Sequence, residues 1–250
     1  MAYKSSLLVN CRQGIMIAGD QLYVLDKNGI LWSTCVGHLY QNLILNSNKS
    51  DINVEKMANG VRSIAVDGSS SDIFYIKDGY YQRASIYINN SLLRQSISGE
   101  ANLSMSHICA NSHVVAVVGY SELPSTEGRT YVDVIDRRHG TATFIRYNSD
   151  TIEKEFVSDA KMFMSSYASW IIVVHTHSFV DLLFSIDGKR FGFVTTVKLQ
   201  LNRLNQAGYN RGMCLRLKID DFTLVNGIGK NCDRVTLCVL AEQKIYTLIF

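Results

Sequence analysis

The sequence is almost without proline, because Pro124 is the only one in 250 residues. Chain reversals must therefore depend on Gly, Asn, Asp and Ser. It also lacks an apolar run near the ~20 residues of a membrane-spanning helix, and its densest run, Trp170 to Val174, ends at His175. The N-terminal apolar stretch is too short for a secretory signal. We expect a cytoplasmic protein without a membrane span, unless a signal has been removed from the sequence.

Several chemical motifs are missing as well. The six cysteines contain no Cys-x-x-Cys pair, the spacing typical of zinc or redox sites. Reduced, buried thiols are the expected state, and they fit a reducing compartment. Gly-x-Ser-x-Gly does not occur, and Gly227-Ile228-Gly229-Lys230 lacks the remainder of a phosphate loop. We therefore predict no cofactor, no metal and no catalytic residue. The net charge of +3 indicates no class of partner by itself.

What the chain does contain is a strand–turn–strand unit that returns along its length. Its clearest copy runs from Leu22 to Trp32, where two apolar strands flank the turn Asn28-Gly29. Looser copies lie at Tyr131 to Phe144 and at Leu182 to Phe193. Repetition of one antiparallel unit predicts an all-β protein, and specifically a β-propeller with four-stranded blades.

Strand patterns fall into five groups of about four, spaced by 45 to 55 residues as in propeller repeats. We predict one domain over residues 1–250 with five blades, near 7–45, 61–97, 105–147, 161–199 and 213–250. Alternation within the second group predicts a core formed by Ile64, Val66, Phe74, Ile76, Ile86 and Ile88.

The segments outside these strands carry their own predictions. Residues 50–60 and 149–156 have helix-capping patterns and are expected to be helical insertions between blades. Gln200 to Gly212 is expected to be a long irregular loop, a type of segment that often carries function. The last strand, 244–250, is expected to be covered, either by the N-terminal strand or by a partner.

The unit at 22–32 resembles the repeat of quinoprotein-like propellers, in which an aromatic–x–Leu-Asp sequence precedes a Gly turn and Leu-Trp. This resemblance implies the propeller architecture. The cofactor and calcium ligands of quinoprotein dehydrogenases have no match in this chain. The Trp-Asp dipeptide of WD repeats and the paired glycines of kelch repeats are also missing.

Acidic and histidine residues near the strands are candidates for a catalytic site or a metal site. A glycosidase would use carboxylates that converge on the central channel, and six candidates lie near strands: Asp67, Asp72, Asp133, Asp136, Asp181 and Asp187. Asp26, Asp136 and Asp187 all precede turns, which favours turn chemistry. His175 and His177 share one strand face, but no third metal ligand has supporting spacing.

The most uneven charge lies in the basic window, Gly188 to Ile219, which has seven Lys and Arg residues and no acidic residue. Arg137-Arg138-His139 either adds to this window or caps a hairpin. We predict a non-enzymatic interaction platform within a larger protein assembly, which binds another protein with an acidic surface through Arg203, Tyr209 and Arg211. Nucleic-acid binding is less favoured. The alternatives are a lectin-like propeller with Tyr80-Tyr81, Tyr120 or Trp170 as aromatic surfaces, and the glycosidase.

Overall fold

The computed structural model describes residues 11–37, 54–67, 70–78, 84–95, 103–121, 130–139, 141–147, 157–164, 168–175, 179–198, 200–202, 214–216, 219–226, 235–241 and 244–249. All the elements in these ranges are β-strands, β1 to β21. The all-β prediction is therefore confirmed. No helix in these ranges could cross a membrane.

Four sheets of four antiparallel strands follow one another along the chain, each with its strands in sequence order. The first sheet contains β1 (Cys11–Ala18), β2 (Gln21–Asp26), β3 (Leu31–Cys35) and β4 (Glu55–Ala58). The second contains β5 (Val61–Asp67), β6 (Asp72–Asp78), β7 (Ala84–Ile88) and β8 (Ser91–Gln95). The third contains β9 (Leu103–Ala110), β10 (Val114–Ser121), β11 (Thr130–Asp136) and β12 (Ala142–Tyr147). The fourth contains β13 (Val157–Met164), β14 (Ser169–His175), β15 (Phe179–Ser185) and β16 (Gly192–Lys198).

The remaining strands form two smaller sheets. A two-stranded sheet joins β17 (Gln200–Asn202) to β18 (Cys214–Arg216). The last sheet contains β19 (Ile219–Asn226), β20 (Val235–Ala241) and β21 (Lys244–Ile249). The strand β21 pairs with β20 along its length. Its covering by an N-terminal strand remains a prediction, because residues 1–10 lie outside the described residues.

The sheets stack face to face, with their first strands side by side. The strand β1 contacts β5, β5 contacts β9, and β9 contacts β13. The rings of Phe163 on β13 and Phe222 on β19 meet edge to face, with centroids 6.2 Å apart. This succession of four-stranded sheets is the blade arrangement of a propeller. The number of blades, five, stays a prediction.

Each junction between consecutive sheets is filled by its own apolar cluster. On β6, Ile73 and Tyr75 pack with the first sheet, whereas Phe74 and Ile76 pack with the third. On β11, Val132 and Val134 pack with the fourth sheet. The fourth and last sheets share a further cluster. Because strand side chains alternate in direction, sheets with apolar residues at consecutive positions need a neighbour on each face.

The predicted core of the second sheet is confirmed. Ile64, Phe74, Ile76 and Ile86 are at most 1% exposed. Val66 and Ile88 are partly buried and pack against the neighbouring clusters.

Three sequence predictions need correction. The helix expected at 50–60 is wrong, because Glu55–Ala58 is the strand β4 and pairs with β3. The capping signals of this segment are local. As a strand, it packs Met57 and Ala58 against the apolar cluster between the first and second sheets, and this burial outweighs the local preference. The irregular loop at 200–212 begins instead with β17, and β18 belongs with β17 rather than the last sheet. Strands of three residues are too short for alternation to reveal. The segments 7–10, 39–45 and 149–156 lie outside the described residues.

Truncation of Phe74 tests the packing between the second and third sheets. Phe74 is fully buried, so Phe74→Ala should lower the free energy of unfolding by about 3–5 kcal/mol. Leu92→Ala is the matched control, since Leu92 is 50% exposed on the same sheet and should cost less than about 1 kcal/mol. Urea unfolding measures both values. Equal losses for the two variants would show that the faces of the sheet are assigned wrongly.

Candidate functional site

Two turns of the third and fourth sheets are built in the same way. The Asp136 carboxylate accepts hydrogen bonds from the backbone N–H groups of Arg138 and His139, at 2.8 and 3.0 Å. The Asp187 carboxylate accepts the equivalent bonds from Lys189 and Arg190, both at 2.8 Å. Both aspartates thus have the turn role predicted for them. We call residues 136–139 and 187–190 the twin turns.

The twin turns hold their aspartates in the ionised form. Hydrogen bonds from the backbone N–H groups of Arg138 and His139 lower the pKa of Asp136. The same kind of bond, from Arg190 first and then Lys189, lowers the pKa of Asp187 to about 2. A charged acceptor binds the turn amides more strongly than a neutral one. Each turn is therefore fixed by a charge-assisted contact beneath its exposed side chains.

The exposed side chains of the twin turns are basic. Arg138 and His139 on one turn, and Lys189 and Arg190 on the other, are all exposed. Asn111 lies between the two turns, because its backbone carbonyl accepts from Arg137 and its side-chain amide donates to the Gly188 carbonyl. The charges of His139 and Lys189 both help to lower the pKa of Asp136. Arg138 and His139 therefore adjoin the first part of the basic window.

Arg137 faces inward from its turn and ties the third sheet to the second. Its guanidinium donates to the Asp67 carboxylate at 2.5 Å, to the Asp72 carboxylate and to the Ser70 hydroxyl at 3.0 Å. It lies over the Phe74 ring at 4.8 Å. It also donates to the Asn111 carbonyl at 2.8 Å. Asp67 and Asp72, two candidates for channel chemistry, are therefore partners of a structural cation.

The fourth sheet rests on the third through the matching position of its own turn. The Asn111 side-chain amide donates to the Gly188 carbonyl at 3.3 Å, while its oxygen accepts from the backbone of His113 and Val114 at 2.8 Å. Gly188 has a φ of 68°, which favours glycine. Both twin turns are thus anchored on the preceding sheet.

A buried histidine–aspartate pair lies at the other end of the fourth sheet. His175 Nε2 lies 2.5 Å from Asp181 Oδ2, and the Thr196 hydroxyl donates to Asp181 Oδ1 at 2.7 Å. Both members of the pair are at most 2% exposed. The described residues contain no group of three potential metal-binding side chains. His177 lies outside the described residues.

Asp133 on β11 and Asp181 on β15 lie in similar sequences but at different distances from their turns, three residues before Asp136 and six residues before Asp187. Each is the third residue of the sequence Tyr131-Val132-Asp133 or Phe179-Val180-Asp181. Val117 on β10 and Phe144 on β12 lie opposite Asp133, whereas His175 and Thr196 contact Asp181 through polar side-chain atoms. Both carboxylate oxygens of Asp133 are buried without a hydrogen-bond partner among the described residues.

This difference leaves Asp133 poorly solvated. Burial raises its pKa to about 6, and the charge of Arg94 on the second sheet opposes that rise. Asp133 and Asp181 both lie on third strands and alternate with core residues that face neighbouring sheets. They do not lie on the first strands, which stand side by side. Their placement does not form the converging pair that a glycosidase needs.

The structure describes only some of the other residues predicted to form a site. Arg203, Tyr209 and Arg211 lie outside the described residues, so their role stays a prediction. Trp170 is partly buried and packs against Phe184, with centroids 4.7 Å apart, so it is not an open aromatic surface. Tyr80 and Tyr81 lie outside the described residues, as does the side chain of Tyr120. The inward role of Arg137 was missed because it depends on contacts with the second sheet.

Comparisons with solved structures agree with a β-propeller fold. The chain is similar to the subtype N11 neuraminidase-like protein of A/flat-faced bat/Peru (H18N11), with a TM-score of 0.51 and 9% identity over 93% of this chain and 71% of that one. The N10 neuraminidase-like protein of A/little yellow-shouldered bat/Guatemala gives a TM-score of 0.48 and 11% identity over 96% of both chains. The Cps50 (Swd1) β-propeller domain of Myceliophteria thermophila gives 0.46 and 10% over 96% and 70%.

The likeness with a TM-score of 0.51, together with the four-stranded sheets, shows the fold of the protein and nothing narrower. The chain is an all-β propeller protein with four-stranded sheets. No protein-family model matches its sequence. No curated protein matches it in sequence either.

Removal of the Arg137 guanidinium tests the tie between the second and third sheets. Arg137→Ala should destabilise the protein by about 3 kcal/mol, because the largely buried Asp67 carboxylate loses its paired cation. Arg138→Ala is the matched control and should change stability by less than about 0.5 kcal/mol, because that side chain is exposed. Chemical unfolding compares them. A loss in Arg137→Ala no larger than the control would refute a structural role for this cation.

The buried Asp133 carboxyl predicts a specific dependence of stability on pH. Its folded pKa is raised from 3.8 to about 6, so its ionisation weakens the folded state as pH rises from about 4 to about 6. Above that pH range, ionisation of Asp133 lowers the free energy of unfolding by ~3 kcal/mol in total. The melting temperature of Asp133→Asn relative to the unaltered protein should therefore increase over this interval and then level off. Scanning calorimetry between pH 4 and 8 measures it, and a constant difference would contradict the prediction.

Proposed function

We propose that this protein is a non-enzymatic interaction platform that binds another protein with an acidic surface. One observation carries the proposal. The carboxylates and the imidazole that could perform chemistry are engaged in holding the fold or are buried, whereas the cations of the twin turns are exposed. The part of the chain that the structure describes thus offers charged contacts without an assembled catalytic group.

Each candidate acid supports this view through its own surroundings. Asp136 and Asp187 accept turn amides, and Asp67 binds Arg137. Asp181 binds His175 and Thr196. A general acid or base must reach a proton of the substrate, and each of these carboxylates is already engaged in a contact that holds a turn or joins two strands or sheets. The glycosidase and lectin-like alternatives have no comparable support among the described residues.

A propeller suits the proposed role because its loops are mounted on a rigid framework. The long segment after the fourth sheet contains the predicted contact residues Arg203, Tyr209 and Arg211. Arginines there would bind carboxylates in a bidentate manner, and the tyrosine would add apolar contact area. This segment continues the basic window that begins at the twin turns.

We also propose the cytoplasm as the location of this platform. The described cysteines Cys35, Cys109 and Cys238 carry free thiols. Burial raises the pKa of the Cys109 thiol, which keeps it in the protonated and less reactive form. Free thiols of this kind are compatible with a reducing compartment.

Combined replacement of Arg203, Tyr209 and Arg211 by alanine tests the platform. Partners captured by the full chain are quantified by mass spectrometry, and the triple variant should lose a specific partner. If these three residues act in binding and not in folding, the melting temperature should stay nearly unchanged. Lys27→Ala/Lys56→Ala is the control, because both lysines are exposed elsewhere. Undiminished capture, or loss of capture together with a collapse in melting temperature, would reject these contacts.

A further inference from the structure

The exposed surface around the twin turns combines cations with apolar side chains. Ile186 immediately precedes one twin turn and is 79% exposed. Met164 ends β13 in the same sheet, is 49% exposed, and has its sulfur 4.0 Å from the Ser112 hydroxyl of the third sheet. We call Arg138, His139, Met164, Ile186, Lys189 and Arg190 the turn patch.

All six residues belong to one end of the strands. Arg137 and Asn111 connect the twin turns to the second and third sheets at the ends of β5 and β9. Met164 pairs with Ser169, which in turn pairs with Ser185 beside Ile186. The turn between β2 and β3 is at the opposite end, where the Gly29 carbonyl accepts from the N–H group of Val61 at 2.9 Å.

From this surface we infer that the turn patch binds an acidic, extended segment of a partner protein, one that carries apolar side chains between its carboxylates. The inference deepens the proposed function and rests on it. Arg138 and Arg190 match partner carboxylates in the bidentate geometry that guanidinium favours. Ile186 and Met164 provide apolar area that a partner can bury. Exposed apolar residues with a charged rim are typical of protein interfaces.

The rigidity of the turns strengthens the case for this surface. Charge-assisted hydrogen bonds to Asp136 and Asp187 hold the backbone of each basic pair. Arg137 and Gly188 dock the same turns on the preceding sheets. A surface that is already ordered loses less conformational entropy when it binds. The cations are therefore presented in a constant arrangement.

The mixed character of the turn patch favours a peptide over a nucleic acid. Two ionised carboxylates, the half-buried Asp136 and the exposed Asp187, lie beside three permanent cations, Arg138, Lys189 and Arg190. A phosphate backbone requires a continuous excess of positive charge, and single strands usually stack on aromatic side chains. The turn patch contains no aromatic side chain other than the imidazole of His139. A peptide whose carboxylates alternate with apolar side chains matches the turn patch better than a nucleic acid does.

Fluorescence anisotropy with defined probes tests this inference on the full chain. The first probe is a fluorescein-labelled peptide, Glu-Leu-Asp-Glu-Leu-Glu, and the second has serine in place of both leucines. The third is a labelled oligothymidine strand. The first peptide should bind about tenfold more tightly than the second, because only it fills the apolar part of the turn patch. Absence of binding, or tighter binding of the oligothymidine, overturns the inference.

Charge reversal identifies the surface that binds. Arg138→Glu/Lys189→Glu should weaken binding of the first peptide by about tenfold or more, whereas Ile186→Ser should abolish the preference for leucine over serine. Lys27→Glu/Lys56→Glu, with the same change in net charge, should bind as the unaltered protein does. Melting curves confirm that each variant is folded. Equal weakening by the two charge reversals would mean non-specific attraction and would overturn the inference.

The same variants separate this inference from the proposed function. If Arg138→Glu/Lys189→Glu retains the protein partner that the Arg203, Tyr209 and Arg211 variant loses, the platform stands and the turn patch is rejected. If the peptide binds at the turn patch but no protein partner depends on the loop residues, the turn patch stands and the loop contacts are rejected.

Discussion

The central sheets of this protein are apolar on both faces, and the rest of the structure depends on that constraint. On β6, successive residues Ile73, Phe74, Tyr75 and Ile76 alternate between the first and third sheets and are all buried. A sheet of this kind cannot expose either face to water without losing most of its stabilisation. Each sheet therefore needs a neighbour on both sides. Stacking in series follows from the side-chain pattern of single strands.

Because apolar side chains fill the junctions between the sheets, many polar contacts lie at the ends of the strands. There, Asp136 and Asp187 satisfy turn amides, and Arg137 and Asn111 join each turn to the preceding sheet. The exposed cations of the twin turns are consequently held by the same contacts that hold the sheets together. Asp133 and Asp181 depart from this pattern because both are buried within their sheets, and of the two only Asp181 has hydrogen-bond partners among the described residues. A platform needs ordered surface groups, and this construction provides them.

Strand alternation predicts the strands of the second and third sheets to within about two residues, because their central strands are long and apolar, whereas the fourth sheet begins at Val157 and not at the predicted residue 161. Turn chemistry correctly explained Asp136 and Asp187, since its signals are local. The capping pattern around Glu55–Ala58 predicts a helix, and the segment is a strand because it pairs with Leu31–Cys35, which is remote in sequence. The inward role of Arg137 depends equally on residues of another sheet. The aromatic-Val-Asp sequence that Asp133 and Asp181 share is visible in the chain, but the partners of each carboxylate depend on the register of the strands.

The central claim is that the stacked sheets form one cooperative framework that fixes the turns above it. Native-state hydrogen exchange, followed by mass spectrometry, tests this most directly. The account predicts that amides of β6, β10, β11 and β14 exchange together at the slowest rate, and that Arg137→Ala accelerates exchange on both sides of the junction between the second and third sheets. Independent exchange of the third sheet, at a rate unaffected by the loss of Arg137, would contradict it.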